Sequence, residues 1–150
     1  MTPRILLADD HPQVLTNLSR LAEEVGEVVG TMPDGRTVVA EALRLHPDVI
    51  VLDLAMPEVS GLDAARILRR DVPESKVIIC TVHANTRMIE EAWAAGAVGV
   101  VRKQSAHADL TEAIRAVLAG GRFVSHALRD SGEISKPEDS ARDSHEGGAP

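Results

Sequence analysis

The sequence predicts a doubly wound α/β fold, with a five-stranded parallel sheet and helices on both faces. Three observations support this. Short apolar runs alternate along the chain with segments of helical periodicity. The runs are continuously apolar rather than alternating, which implies burial on both faces and hence a parallel sheet. Each run is separated from the next by enough chain for a helical crossover, and right-handed crossovers distribute helices to both sides.

Taken in order, Ile5 to Ala8 is the first strand, closed by Asp9 and Asp10. Val14, Leu15, Leu18, Leu21, Ala22 and Val25 then recur at helical spacing. Pro12 suits the first turn of that helix, where its missing N–H costs nothing, and Gly26 stops it. Glu27 to Thr31 is a weaker strand. Thr37 to Leu45 is helical, with Asp34 as a candidate N-cap, and Pro47 ends it. Val49 to Leu52 is a fully apolar strand stopped by Asp53. Leu62 to Arg70 is helical. Lys76 to Cys80 is a strand rich in β-branched residues. Thr86 to Ala95 is a helix, Val98 to Val101 a strand, and Ala106 to Ala119 the last helix. The expected strand order is the flavodoxin-like one. From Arg129 to Pro150 the only apolar residues are Ile134, Ala141 and Ala149, among many Ser, Asp, Glu and Gly. That segment is expected to be a disordered acidic tail, leaving residues 1–128 as the folded domain.

The chain has 150 residues, the size of one ordinary domain. With 44% hydrophobic residues but one Trp, one Phe and no Tyr, its core must be aliphatic. The same scarcity disfavours base-stacking platforms for single-stranded nucleic acid. A net charge of -7 without a Lys/Arg run argues against direct binding to nucleic acid or to an anionic membrane. Cys80 is the single cysteine, so no intrachain disulfide forms, and a reducing, cytoplasmic setting is expected. The opening apolar run is too short for a signal peptide or a membrane span.

In an open parallel sheet, ligands bind outside the carboxyl ends of the strands. Asp9 and Asp10 end the first strand, Asp53 the third and Thr81 the fourth, while Lys103 follows the fifth. Three converging carboxylates repel one another, and Mg²⁺, a hard oxygen-seeking cation, relieves that repulsion. Asp53 can then attack a phosphoryl group and become an acyl phosphate. Lys103 would screen the charge of the transferring group, and Thr81 would hydrogen-bond the phosphoryl oxygen only in the modified state. Asp9-Asp10 also has a plainer reading, as acids favoured at a helix N-terminus.

Four strings carry a family resemblance: RILLADDHP from Arg4, VLDLAMPEVSG from Val51, VIICTVHAN from Val77 and AGAVGVVRK from Ala95. Together and in this order they resemble the CheY-like receiver domain of response regulators, over roughly residues 4–122. AVLAGGRFVSHAL, from Ala116, points within that family to receivers of LuxR-type (NarL/FixJ) regulators. The resemblance implies Asp53 as phosphoacceptor and Asp10 as a direct Mg²⁺ ligand. It also implies Asp9 acting through metal-bound water and the Ala55 backbone carbonyl as a further ligand. Thr81 and Lys103 take the roles given above. A sensor histidine kinase or phosphotransfer protein is the implied partner. Self-phosphorylation from small donors and autodephosphorylation are the only chemistry expected, so the chain is not expected to be an enzyme. The readout surface would be the face of the fourth helix, fifth strand and fifth helix, with a homodimer through that face or through the first and fifth helices.

Some positions depart from the family. Val100 stands where an aromatic side chain often reports phosphorylation, Val82 where a small residue usually follows the switch threonine. Ala55 and His83 occupy positions that tune acyl-phosphate lifetime. Gln104 follows Lys103, so a trans bond is expected there. Residues 129–150 are expected to hold no recognition helix for a DNA-binding domain. A stand-alone receiver and a piece of a longer LuxR-type regulator are therefore both open, as is a degenerate receiver that works without phosphorylation. A haloacid-dehalogenase-like phosphohydrolase would need a second acid where Ala55 stands. A flavodoxin would need small hydroxyl residues where Asp9-Asp10-His11-Pro12 stands. Cys80 is expected to be a buried thiol, Trp93 a packing residue on the fourth helix, and His11 a helix-entry residue near the site.

Overall fold

The computed structural model describes residues 2–130. The elements are β1 (Arg4–Ala8), α1 (Pro12–Ala22), β2 (Glu27–Met32), α2 (Gly35–Leu45), β3 (Val49–Asp53), α3 (Gly61–Asp71), β4 (Lys76–Thr81), α4 (Thr86–Ala94), β5 (Gly99–Arg102), α5 (Ala106–Leu118), β6 (Phe123–Val124) and α6 (His126–Asp130). A single 3₁₀ turn, Lys103–Ser105, links β5 to α5. The sheet is parallel throughout, in the order β2-β1-β3-β4-β5-β6.

Period-two alternation within the buried strands sorts their side chains into two cores. In β1, Ile5 and Leu7 face one side while Leu6 and Ala8 face the other; in β3, Val49 and Val51 oppose Ile50 and Leu52. One core packs against α1 and α5 and the other against α2, α3 and α4. The aliphatic core expected from composition is thus split by the sheet, and its single aromatic residue is Phe123, on β6.

Local chemistry sets the helix starts. The Asp34 carboxylate caps α2 by accepting from the Thr37 N–H at 2.8 Å. Ser60 and Asn85 cap α3 and α4 in the same way. Pro12 occupies the first turn of α1.

The sheet has a sixth strand where five were expected. Two residues are too few to show any periodicity, and β6 exists because Gly99 and Val100 of β5 pair with Phe123 and Val124. The turn into it uses Gly120 at φ 92, a left-handed conformation that favours glycine. α6 then carries the regular structure to Asp130, past the boundary expected at residue 128; the tail expected beyond it lies otherwise outside the described residues. Among the described residues no helix is long and apolar enough to cross a membrane.

Cys80 is fully buried in the α1/α5 core. Burial pushes its thiol up to about 12, with Lys103 opposing and the Asp9 and Asp53 charges adding to the rise. Almost no thiolate exists at pH near 8, and the thiolate is the nucleophile. Native protein is therefore expected to leave Cys80 unmodified by a maleimide at mildly alkaline pH, with one label per chain in denaturant. Mass spectrometry reads both states, and rapid labelling of the native protein would contradict this burial.

Candidate acidic site at the carboxyl edge

The sheet register brings the expected residues together. Ala8 pairs with Leu52 and Asp53 with Cys80, so Asp9 and Asp53 leave adjacent strands at the same level. Thr81 pairs with Arg102, which places Lys103 just beyond Thr81. Lys103 then reaches back across the edge. Its Nζ lies 2.6 Å from Asp9 Oδ2 and 3.1 Å from Asp53 Oδ1, so one ammonium bridges both carboxylates. Asp9 is fully buried, Asp53 nearly so, and Asp10 is exposed.

Asp9 Oδ1 accepts from the His11 N–H at 2.9 Å. The His11 ring is closer to the acids than a helix-entry role requires. Its Nδ1 lies 3.1 Å from Asp9 Oδ1 and 3.0 Å from Asp10 Oδ1. The only signal for this in the sequence is the adjacency of His11 to Asp9 and Asp10. One ligand atom each from Asp9, Asp10, His11 and Asp53 falls within 4.8 Å of the others. Three carboxylates facing one ammonium leave excess negative charge among oxygen donors, a donor set that fits a hard divalent cation.

Above these groups opens a cavity of about 290 Å³, lined by His11, Asp53, Ala55, Thr81, Val82 and Lys103 among others. Thr81 is buried at its edge, and its Oγ1 accepts from the His83 N–H at 3.1 Å. Val82 is 49% exposed at the cavity mouth, so its branched side chain stands on the route to Asp53. His83 also lines the cavity and is exposed. Val100, by contrast, is fully buried in the core beside α4. A valine packed there has no ring to swing between buried and exposed positions. No peptide bond is cis among the described residues, as expected at Lys103–Gln104.

Burial raises the pKa of the Asp53 carboxyl. The Lys103 hydrogen bond opposes this, the Asp9 charge adds to it, and the Ala55 backbone N–H donates to the carboxylate and lowers it; the net direction is upward. Burial would lower the Lys103 ammonium, but its hydrogen bonds to Asp9 and Asp53 outweigh that, and its pKa is raised. A carboxyl whose folded pKa lies above its unfolded value destabilises the fold once ionised. Asp53→Asn should therefore stabilise the metal-free protein near pH 7, and that gain should shrink as pH falls through the folded pKa toward about 4. Urea titrations in chelator at the two pH values measure it; a variant less stable than wild type at neutral pH would refute the sign.

Residues 5–115 match the family model of the response regulator receiver domain. The chain belongs to that family. Response regulator GacA of Pseudomonas viridiflava is 36% identical over 124 residues, covering 81% of this chain and 58% of that protein. Response regulator UvrY of Escherichia coli (strain K12) is 31% identical over 136 residues, covering 89% of this chain and 62% of that protein. The chain thus spans about three-fifths of the length of these relatives. A LuxR-family two-component response regulator from Aurantimonas sp. SI85-9A1 superposes with a TM-score of 0.83 at 35% identity, covering 89% of this chain and 96% of that one. The isolated receiver domain of RcsB from Salmonella enterica serovar Typhimurium, solved with phosphomimetic BeF3-, gives a TM-score of 0.79 at 26% identity, covering 87% and 98%. The CheY-like fold expected from the four strings is therefore shown, as is the likeness to LuxR-family receivers.

Proposed function

We propose that this receiver is the phospho-accepting switch of a two-component pathway, with Asp53 as the acceptor. The observation that carries the reading is Lys103, bridging Asp9 and Asp53 beneath a cavity edged by Thr81. An Asp53 carboxylate oxygen attacks the phosphorus of the donor. The bond from phosphorus to the donor's leaving atom, a kinase histidine nitrogen or the acyl oxygen of a small phosphodonor, breaks with its electron pair. The products are an acyl phosphate on Asp53 and the released donor. Asp10 and Asp53, the Ala55 backbone carbonyl, and Asp9 through a water would hold Mg²⁺, which supplies charge neutralisation for the phosphoryl oxygens.

Lys103 is already placed to pair with a phosphoryl oxygen, at the cost of one of its present carboxylate contacts. Thr81 would donate its hydroxyl proton to another. That contact draws β4 and the following loop toward Asp53 and repositions the α4-β5-α5 face. The output is then a changed protein contact, including a homodimer through that face or through α1 and α5. Because Val100 is packed in the core, the change must travel through Thr81 and α4 rather than through an aromatic ring. The RcsB receiver solved with a phosphomimetic supports phosphoryl acceptance in this fold. We read the chain as a switch rather than an enzyme, acting in the cytoplasm and without direct nucleic-acid contact.

The test is incubation with acetyl phosphate and Mg²⁺ followed by intact-mass measurement. One phosphoryl adduct is expected in the wild type and none in Asp53→Asn or in chelator. Absence of an adduct with both acetyl phosphate and a competent histidine kinase would replace this reading with a phosphorylation-independent receiver.

A further inference from the structure

We propose that a second cleft, at the opposite edge of the sheet, binds a nucleoside phosphate. It lies at the amino ends of β4, β5 and β6 and has a volume of about 400 Å³, within the usual range of small-molecule sites. Arg69 of α3, Lys76 at the start of β4 and Arg122 before β6 line it, together with Trp93 and Gly96 from the end of α4 and Val98 before β5.

The chain carries a net charge of -7, yet no carboxylate lines this cleft. Neighbouring acids are engaged elsewhere, Asp71 with Arg70 and Glu74 with His46. Arg69, Lys76 and Arg122 have no carboxylate partner among the described residues. Three cations without a carboxylate partner around one concavity repel one another, and a polyanion relieves that repulsion. Guanidinium groups suit phosphate because their donors match its oxygens in pairs.

The shape of the cleft favours an aromatic body on the anion. The Arg122 guanidinium lies over the Trp93 ring, 4.8 Å from its centroid. Both groups are half-buried, and the guanidinium held over the indole makes one wall of the cleft. Arg69 is seated by a specific backbone device. Gly96 has φ +100, and a Cβ there would come within 2.5 Å of Arg69 Cδ and 3.1 Å of its Cγ. Without that Cβ, the Arg69 stem lies across Gly96 at the cleft. A phosphate group facing Arg69 and Lys76, with a base against the Arg122–Trp93 wall, uses every one of these features.

Trp93 is the chain's single tryptophan, so its fluorescence reports on this cleft alone. The full chain is titrated with ADP in chelator, which prevents metal from recruiting the nucleotide to the acidic edge. A saturable fluorescence change is expected, with adenosine and pyrophosphate each binding at least about tenfold more weakly than ADP. Arg69→Gln and Lys76→Gln are each expected to weaken ADP by about tenfold, the size of one lost charge-assisted contact. Both should melt like wild type and take up phosphate on Asp53 as before. The proposal is overturned by no saturable response up to about 1 mM ADP, by pyrophosphate binding as tightly as ADP, or by both variants binding like wild type. Phosphoryl uptake measured on the same samples keeps failure of this cleft separate from failure of the switch.

Discussion

Lys103→Met is expected to cost the metal-free protein about 3 kcal/mol at neutral pH, the scale on which breaking a buried ion pair by removing one partner destabilises a fold. The side chains explain the size. Lys103 is 13% exposed, Asp9 is fully buried, and the ammonium is within ion-pair distance of both Asp9 and Asp53. Methionine keeps the length and apolar stem but leaves two buried carboxylates with no cation between them. Two routes relieve that state, and each makes the prediction specific. Mg²⁺ restores positive charge at the same edge, so the variant should gain more stability from added Mg²⁺ than the wild type does. Acid restores it by protonating one carboxyl, so the deficit should narrow as pH falls toward about 5. Urea unfolding followed by circular dichroism, with and without Mg²⁺, measures both. A deficit below about 1 kcal/mol that ignores Mg²⁺ and pH would show that Lys103 is not the counter-charge of the cluster. Phosphoryl uptake from acetyl phosphate should fall in the same variant, because no ammonium faces the transferring group.

Gly61→Ala is the second large effect, and its origin is backbone contact rather than charge. A Cβ at position 61 would overlap the carbonyl oxygen of Asp53 and lie 2.9 Å from Leu54 Cα. These are main-chain atoms, with no flexible end to move aside. The Gly61 N–H also donates to the Leu54 carbonyl at 2.8 Å, tying the start of α3 to the end of β3. Relieving the overlap must shift the acceptor's own backbone. We expect a loss of about 2–3 kcal/mol and a fall of about a hundredfold in the phosphorylation rate, as for a catalytic group displaced by about 1 Å. Gly120→Ala is the informative control. That glycine has φ +92, but a Cβ there would meet nothing within 4 Å. It should therefore lose only about 1 kcal/mol through strain and phosphorylate normally. Equal phosphorylation rates in the two variants would remove Gly61 from the architecture of the site.

Much of the molecule is legible in the chain, for local reasons. A strand buried on both faces must be apolar at every position, so Val49–Leu52 and Val77–Cys80 announce themselves, and the polar residue that ends each marks the edge where chemistry can occur. Helix periodicity, the cap at Asp34 and the first-turn proline at Pro12 depend on residues within a turn of one another. Asp9, Asp10, Asp53, Thr81 and Lys103 were therefore readable as a set, each at a strand end. The same locality explains what was hidden. β6 is two residues held by partners on β5, too short to carry a pattern of its own.

By itself, then, the sequence determined the βα alternation, the burial of the strands and the edge at which the acids gather, because each follows from the spacing of near neighbours. Only the tertiary structure decided how that edge is wired. The order β2-β1-β3-β4-β5-β6 sets Asp9 beside Asp53, and the turn after β5 lets one lysine reach both. It also put the His11 ring against two carboxylates, Val82 at the cavity mouth and Val100 inside the core. The cationic cleft is the extreme case. Arg69, Lys76, Trp93 and Arg122 come from four separate elements or their flanks, and their meeting depends on strand register and helix packing, which link residues far apart in the chain and leave no local trace.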